Sequence, residues 1–519
     1  MTRWRVLREH GPRGMVYVRS MTLVLAVLLL IAMPADGQAT EPAAGDPALE
    51  KPAVPRQQLK ILDQDLRLEA YQQFRALYEE ARYEEALPYA RQVLDLSASG
   101  EDPDYELPIA YNNLGATQYQ LGDYAGAAAS YRESLDMLES TQGISSRRLV
   151  VPLAGLGAAY AALNEYQVAA ELYDRALGVS RRADGLFNLQ QIPLIKQAAD
   201  SRYAIRDFTG AEREYMYALK IAEQNFGYGD PRTIPPLLEL GTFYESLREY
   251  IAARMVYMRA RDAALQVNPG YSPEAVQALT GIARSHRLQY TMDPDGLESQ
   301  QPLRDEITGE VVPRVYRDSG LPPPTANRTG VKAGQQALDL LRATPAPPPE
   351  LMTRTLLELG DWYQATSRPA MSLPYYGEAA AILDKQSAAD PLMGHPLRAP
   401  RMVFYRPPLS ASRGLDDPSG RYVIRKTVFV FEVTEAGKPQ NITVVSTDMN
   451  EERLGLSRRA IEKAIYSPRF AEGKPVSTAG VTFTGEWYEE ITGEDPPQAP
   501  ADVTPAPPPA VEPASTPGT

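Results

Sequence analysis

The stretch Ala110–Leu135, AYNNLGATQYQLGDYAGAAASYRESL, reads as two amphipathic helices joined by a tight turn. Tyr111, Leu114 and Gln118 fall on one face of the first helix, and Ala127, Tyr131 and Ser134 on the packing face of the second. Gly115 is small where two helices cross closely, and Gly122-Asp123 forms the turn. The pattern recurs in register. Gly115, Gly157, Ala199 and Gly241 are each 42 residues apart, and so are Tyr124, Tyr166, Phe208 and Tyr250. Ala127, Ala169, Ala211 and Ala253 keep the same spacing, as do Tyr131, Tyr173, Tyr215 and Tyr257, then Ser134, Ala176, Ala218 and Ala260.

This small-and-aromatic pattern resembles the tetratricopeptide repeat, whose usual period is about 34 residues. The eight additional residues predict longer helices or longer links. The links GISSRRLVVP and GYGDPRTIPP resemble those of the 42-residue, kinesin-light-chain type. The resemblance implies a right-handed α-solenoid of helical hairpins.

The length of 519 residues leaves room for several domains. A net charge of −13 argues against electrostatic binding of nucleic acid. Without any cysteine, disulfides and thiolate metal sites are excluded. Arg3, Arg5, Arg8, Arg13 and Arg19 form a basic leader, followed by the 13-residue apolar run Met21–Met33 and then PADGQAT. Residues 1–39 therefore read as a secretory signal peptide. The alternative is an uncleaved anchor, but 13 helical residues reach only about 20 Å against a hydrocarbon core of roughly 30 Å.

Residues 40–57 read as an Ala/Pro-rich spacer. The solenoid is expected over 58–385, as about seven units. The first unit sits one residue out of the 42-residue register and reads as a capping unit. The sixth is interrupted by a polar insert at 288–330, with a small hairpin expected around Thr308-Gly309 if it is ordered. Pro369 replaces the turn aromatic of the last unit, which predicts a stretched turn.

From Pro400 the character changes. Arg425–Thr434 has apolar residues on both faces, a buried-strand signal. Asn441–Thr447 reads as a second strand, Glu451–Tyr466 as a helix and Gly480–Tyr488 as a third strand. Tyr405-Arg-Pro-Pro, Val428–Thr434, Gly437-Lys-Pro, Ile442-x-Val-Val-Ser and the run Tyr466–Pro475 together resemble the C-terminal domain of the TonB family. The resemblance covers 400–490 and implies a small β-β-α-β domain. In such a sheet, Val481, Thr482, Phe483, Thr484 and Glu486 form a candidate edge for strand addition. Residues 494–519 hold nine prolines and read as a polyproline-like or disordered tail.

No phosphate loop, G-x-S-x-G or H-E-x-x-H occurs. Asp293-Pro-Asp-Gly lacks the remaining ligands of a calcium loop. The three histidines, His10, His286 and His395, lie far apart in sequence. No cofactor, metal or catalytic residue is implied. The tyrosines at 131, 173, 215 and 257 occupy repeat-core positions. The resemblance instead places a peptide groove on the exposed face of each first helix. It carries Asn112, Asn113, Tyr119 and Gln120, then the apolar trough Ala154, Ala158 and Ala161, then Lys196, Gln197, Asp200 and Tyr203, then Glu239, Thr242 and Glu245. Amide side chains there can pair with a peptide backbone.

The expected function is a non-catalytic periplasmic adaptor for protein or peptide partners of the cell envelope. The alternatives are a TonB-type energy transducer for outer-membrane transport and an envelope glycan-acting enzyme. The apolar run lacks the histidine of a proton-driven motor, and no carboxylate pair stands out for glycan chemistry. Membrane contact is expected only through an uncleaved N-terminal segment or an outer-membrane partner.

Overall fold

A computed structural model describes residues 56–100, 102–292, 323–389, 395–406, 408 and 422–490. The leader, most of the spacer, the Thr308-Gly309 hairpin and the C-terminal tail lie outside the described residues. The chain divides into two compact units. One holds the helices up to Arg398 together with Phe470–Lys474, and the other holds the remaining described residues from Ala399 onward.

The helical unit contains fourteen helices in seven antiparallel pairs among the described residues. They are α1 (Arg56–Glu79) with α2 (Tyr83–Ala98), α3 (Pro103–Gln120) with α4 (Tyr124–Gln142), and α5 (Val150–Ala162) with α6 (Tyr166–Asp184). Next come α7 (Ile192–Ala204) with α8 (Phe208–Phe226), α9 (Ile234–Ser246) with α10 (Tyr250–Val267), α11 (Pro273–Met292) with α12 (Pro323–Arg342), and α13 (Pro349–Ala365) with α14 (Pro369–Ala389).

The additional residues of the 42-residue period go to both expected places. The second helices α4, α6 and α8 are 19 residues long. Each is followed by a link that ends in a 3₁₀ turn, at Arg147–Leu149, Leu189–Gln191 and Pro231–Thr233. Ser146, Asn188 and Asp230 cap these turns by accepting from the backbone N–H two residues on.

The core repeats with the sequence. Tyr131, Tyr173, Tyr215 and Tyr257 are all buried, as expected of repeat-core positions. Each such ring contributes roughly 1.5–3 kcal/mol on full burial. A Cβ built on Gly115 would lie 3.2 Å from the Tyr131 ring, and one on Gly155 of the next unit only 2.3 Å. Gly241 and Gly281 enclose Tyr257 in the same way, at 2.5 and 2.8 Å. The first helices of successive units, such as α3 and α5 or α9 and α11, lie side by side.

Two expectations about this unit are corrected. Both ends of the 288–330 insert are helical, because α11 continues to Met292 and α12 begins at Pro323. Packing holds these ends. Tyr290 stacks on Trp362 at 6.2 Å, and Gly330 fits closely against the same indole. Nor does Pro369 stretch the last turn, since Thr366–Arg368 span it as Leu121–Asp123 span the turn after α3. Proline has no N–H to lose at the first helical position, and its fixed φ suits a helix start.

The second unit is built on a three-stranded antiparallel sheet, order β3-β2-β7, with β2 at Tyr422–Val433, β3 at Pro439–Thr447 and β7 at Thr478–Glu490. Helix α15 (Glu451–Glu462) contributes Ile461 to a core with Phe429, Phe431 and Val433. Four short strands were not foreseen. β1 (Arg401–Phe404) pairs with β4 (Ile465–Ser467), and β5 (Arg469–Ala471) with β6 (Lys474–Val476), a hairpin whose Phe470–Lys474 segment is counted with the helical unit. The helix therefore ends before Ile465 and Tyr466, which belong to a strand. Pro468 disfavours helical backbone at the residue before it, and Tyr466 is buried against Phe431 at 5.7 Å. The central strand is also not buried on both faces. Phe429, Phe431 and Val433 are buried, whereas Val428 and Val430 are only half-buried.

Candidate binding groove

The groove residues read from the sequence fall into three environments. Asn112 and Asn113 on α3 are 7% and 4% exposed and line a cavity of about 280 Å³. Their neighbours Tyr119 and Gln120 are buried and half-buried, with the Tyr119 ring 5.2 Å from Tyr124. These four positions are thus not an open solvated face, because adjacent first helices pack directly against α3. The trough of Ala154, Ala158 and Ala161 is likewise closed. Ala154 and Ala158 are buried and Ala161 half-buried.

The second environment is a polar seam between α7 and α9. Lys196 Nζ lies 2.9 Å from Asp200, which also accepts the hydroxyl of Tyr215. Glu239 is pushed up to about 7 by burial, with Lys196 opposing and Asp200 reinforcing that shift. Gln197 is half-buried. Tyr203 is the open member of the set, 37% exposed, edge-on to Phe208 at 5.5 Å and to Phe243 at 6.1 Å.

The third environment is divided. Thr242 is exposed, donates to the Leu238 carbonyl at 3.0 Å and lies 3.2 Å from the Tyr257 hydroxyl. Glu245 is buried and pairs with Arg284 at 2.6 Å. The pair joins α9 to α11.

The cavity beside Asn112 and Asn113 contains residues that the sequence did not reveal. Tyr71, Ile109, Val151 and Leu194 give it apolar walls from α1, α3, α5 and α7. Arg147 and Arg148 enter from the 3₁₀ link. Arg147 is neutralised by Asp184 at 2.6 Å. Arg148 instead donates to the Tyr105 carbonyl at 2.7 Å and lies over the Tyr105 ring at 4.2 Å. Ile109 was legible, being four residues before Asn113 and on the same helix face. Arg148 was not, because nothing local says which way a link side chain turns.

In the second unit, the sheet order leaves β7 at one margin and β3 at the other. Thr482 and Thr484 are exposed, while Val481 and Phe483 are half-buried on the core side. Glu486 lies 3.5 Å from Lys426 on the neighbouring strand.

Residues 75–140 and 110–182 match the tetratricopeptide repeat family. The match spans the helical pairs within residues 75–182. The repeats are similar to several solved structures. Kinesin-light-chain TPR-like repeats from Podosopora anserina are 14% identical, covering 40% of this chain and 98% of that one at a TM-score of 0.37. BtubC (BKLC) from P. vanneervenii is 17% identical, covering 68% and 98% at 0.32. The TPR2AB domain of yeast Sti1, in complex with pHSP90, is 14% identical, covering 63% and 96% at 0.22. No curated protein matches the chain.

Proposed function

We propose that the chain is a non-catalytic adaptor of the periplasm, holding a partner's extended segment along the first helices of its tetratricopeptide repeats. The observation that carries this reading is the cavity at Asn112 and Asn113. Two buried carboxamides there keep atoms free of any hydrogen bond among the described residues, on the helix face where such repeats hold peptides. Tetratricopeptide repeats commonly mediate protein–protein interaction, and the Sti1 structure is a complex of this kind. The periplasmic address rests on the basic leader and the short apolar run within residues 1–39. The TonB-like reading of 400–490 rests on its motifs and on a helix packed against an antiparallel sheet. In that reading Val481–Glu486 accepts a partner's strand, since an unpaired sheet margin presents backbone donors and acceptors.

The test is selection of a displayed random peptide library on the immobilised full chain. Enriched peptides should bind the purified chain and lose at least tenfold in affinity to Asn113→Ala. Peptides that bind both forms equally would place recognition elsewhere. For the address, mass spectrometry of the envelope form should show an N-terminus between Gln38 and Thr40, and an intact leader would overturn export with cleavage.

A further inference from the structure

The second helices carry an apolar surface that the first-helix groove does not use. Helices α6, α8 and α10, with the link between α6 and α7, enclose a groove of about 1270 Å³. Leu186 and Phe187 on that link and Met216 on α8 line it and are exposed. Helix α10, which lends Val256 and Arg259 to the groove, also exposes Met255 and Met258. Met216 and Met258 share one place in the repeat, where the two earlier units hold Arg132 and Asp174. Single exposed apolar residues need no explanation, but a group gathered at one groove marks an interaction site, and methionine adapts its shape to a partner. The link is also fixed in place. The Tyr217 hydroxyl donates to the Leu186 carbonyl at 2.6 Å, and the Asn225 amide to the Phe187 carbonyl at 2.8 Å. The neighbouring units hold Arg175 and Arg259 in place of Tyr217, and Ala183 and Val267 in place of Asn225, so this corner belongs to one unit and not to the repeat pattern. An apolar corner set before binding lowers the ordering cost of docking.

Charge and backbone chemistry decide what fits there. The three carboxylates of the groove are engaged. Glu214 lies 3.6 Å from Arg181 and 3.9 Å from Arg213, Glu223 pairs with Arg259, and Glu212 accepts the Tyr244 hydroxyl at 2.8 Å. The fourth cation of the lining, Lys220, is exposed, has no carboxylate partner among the described residues, and lies over the Phe187 ring at 5.9 Å. An apolar anchor point thus stands beside an unpaired positive charge. The backbones of α8 and α10 are engaged within those helices, and Gln224 is the one carboxamide among the lining residues. An extended segment laid there would leave its own N–H and C=O groups unpaired, whereas a helix satisfies them itself. We propose that this groove docks an acidic amphipathic helix of a partner protein. Its apolar face packs on Phe187 and Met216, and one of its carboxylates pairs with Lys220. The chain then holds two partners at once, an extended segment on the first helices and a helix on the second.

The experiment uses the full chain and three end-capped, fluorescein-labelled peptides of equal length, read by fluorescence anisotropy. The first is an amphipathic helix with leucines along one face and glutamates and glutamines on the other. The second has lysine in place of each glutamate. The third is the first with its residues shuffled so that no apolar stripe remains. The first should bind tenfold or more tighter than either of the others. Its affinity should fall at least tenfold in Phe187→Ser and in Met216→Gln, both at exposed positions, in chains of unchanged melting temperature. It should persist in Met371→Gln, an exposed methionine of α14 outside the groove. Lys220→Glu should invert the charge preference, so that the second peptide binds tighter than the first. Equal binding of the first and second peptides overturns the acidic partner, and equal binding of the first and third overturns the helix. Undiminished binding in both Phe187→Ser and Met216→Gln, or no binding by any peptide, overturns the site. The first peptide should bind Asn113→Ala as tightly as the parent chain, so this site and the first-helix groove stand or fall separately.

Discussion

Tyr131 is held between glycines of two different units, Gly115 on its own first helix and Gly155 on the next. A single ring thus sets both the crossing inside a hairpin and the spacing to its neighbour. Gly115 was legible because it keeps the 42-residue register with Gly157 and Gly241. Gly155 was not, because Gln197 and Glu239 stand at the corresponding places in the next two units. Only at Gly281 does glycine return, and there it again meets a tyrosine ring, Tyr257. Gly155→Ala puts a Cβ 2.3 Å from the Tyr131 ring, closer than van der Waals contact permits. Ring and helix must shift, and such overpacking costs about 1–3 kcal/mol. Thermal melting followed by circular dichroism should show a lower Tm for Gly155→Ala. Gly178→Ala is the control, since a Cβ there would meet only the flexible Arg182 guanidinium at 3.5 Å. Equal melting of the two variants would mean that the ring is not wedged.

Hairpin turns show how one element repeats with different residues. The position after the first helix plus one residue is left-handed in every regular unit, at Gly122 (φ 81°), Asn164 (65°), Arg206 (66°) and Arg248 (64°). The next N–H closes the motif, as Asp123 does on the Gln118 carbonyl and Glu249 on the Tyr244 carbonyl, both at 2.9 Å. In the first unit Ala81 takes this role 41 residues before Gly122, which matches the one-residue offset read there. A non-glycine residue in this conformation costs roughly 1–2 kcal/mol, and glycine gives part of that back as unfolded-chain entropy. Arg248→Gly should therefore stabilise the chain by about 0.5–1 kcal/mol, and Gly122→Ala should destabilise it by a similar amount. Denaturant titrations of the two variants check the opposite signs, and a loss of stability in Arg248→Gly would count against the strain argument. Helical elements were legible because a 42-residue repeat presents the same periodicity several times. The short strands of the second unit were not, since three residues such as Ile465–Ser467 carry no period. Their strand character comes from pairing with Arg401–Phe404, more than sixty residues away in sequence. The groove was legible only as a helix face. Its depth at Asn112 and Asn113, and its closure at Ala154 and Ala158, depend on how close the neighbouring helices come.

At the scale of the whole helical unit, the repeat order survives an interruption. Helices α11 and α13 meet although α12 and residues 293–322 lie between them in sequence. Three buried contacts carry this junction. Thr280 and Thr355 share a hydroxyl contact at 3.1 Å, Trp362 Nε1 donates to the Ala283 carbonyl at 2.9 Å, and Arg287 holds Glu358 through two bonds of 2.6 and 2.8 Å. Burial pushes the Glu358 carboxyl up, opposed first by Arg287 in direct contact and more weakly by Arg284. Removing one member of such a pair leaves an uncompensated buried charge, at about 3–5 kcal/mol, whereas replacing both by apolar residues is often near neutral. Arg287→Met should therefore be strongly destabilising, and Arg287→Met with Glu358→Leu should recover at least half of the loss. Asp361, which lies 3.7 Å from Arg287 and loses that cation in the double variant, retains the Tyr376 hydroxyl as a donor at 2.7 Å. Since repeat units are stabilised mainly by their neighbours, the damage should be local. Hydrogen exchange should rise first in Leu356–Trp362 of α13, while amides of α5 and α6, several units away, keep their protection. Uniform loss of protection along the unit would instead make the repeats one cooperative block. A double variant as unstable as the single would show that Arg287 acts through packing and that its charge is incidental.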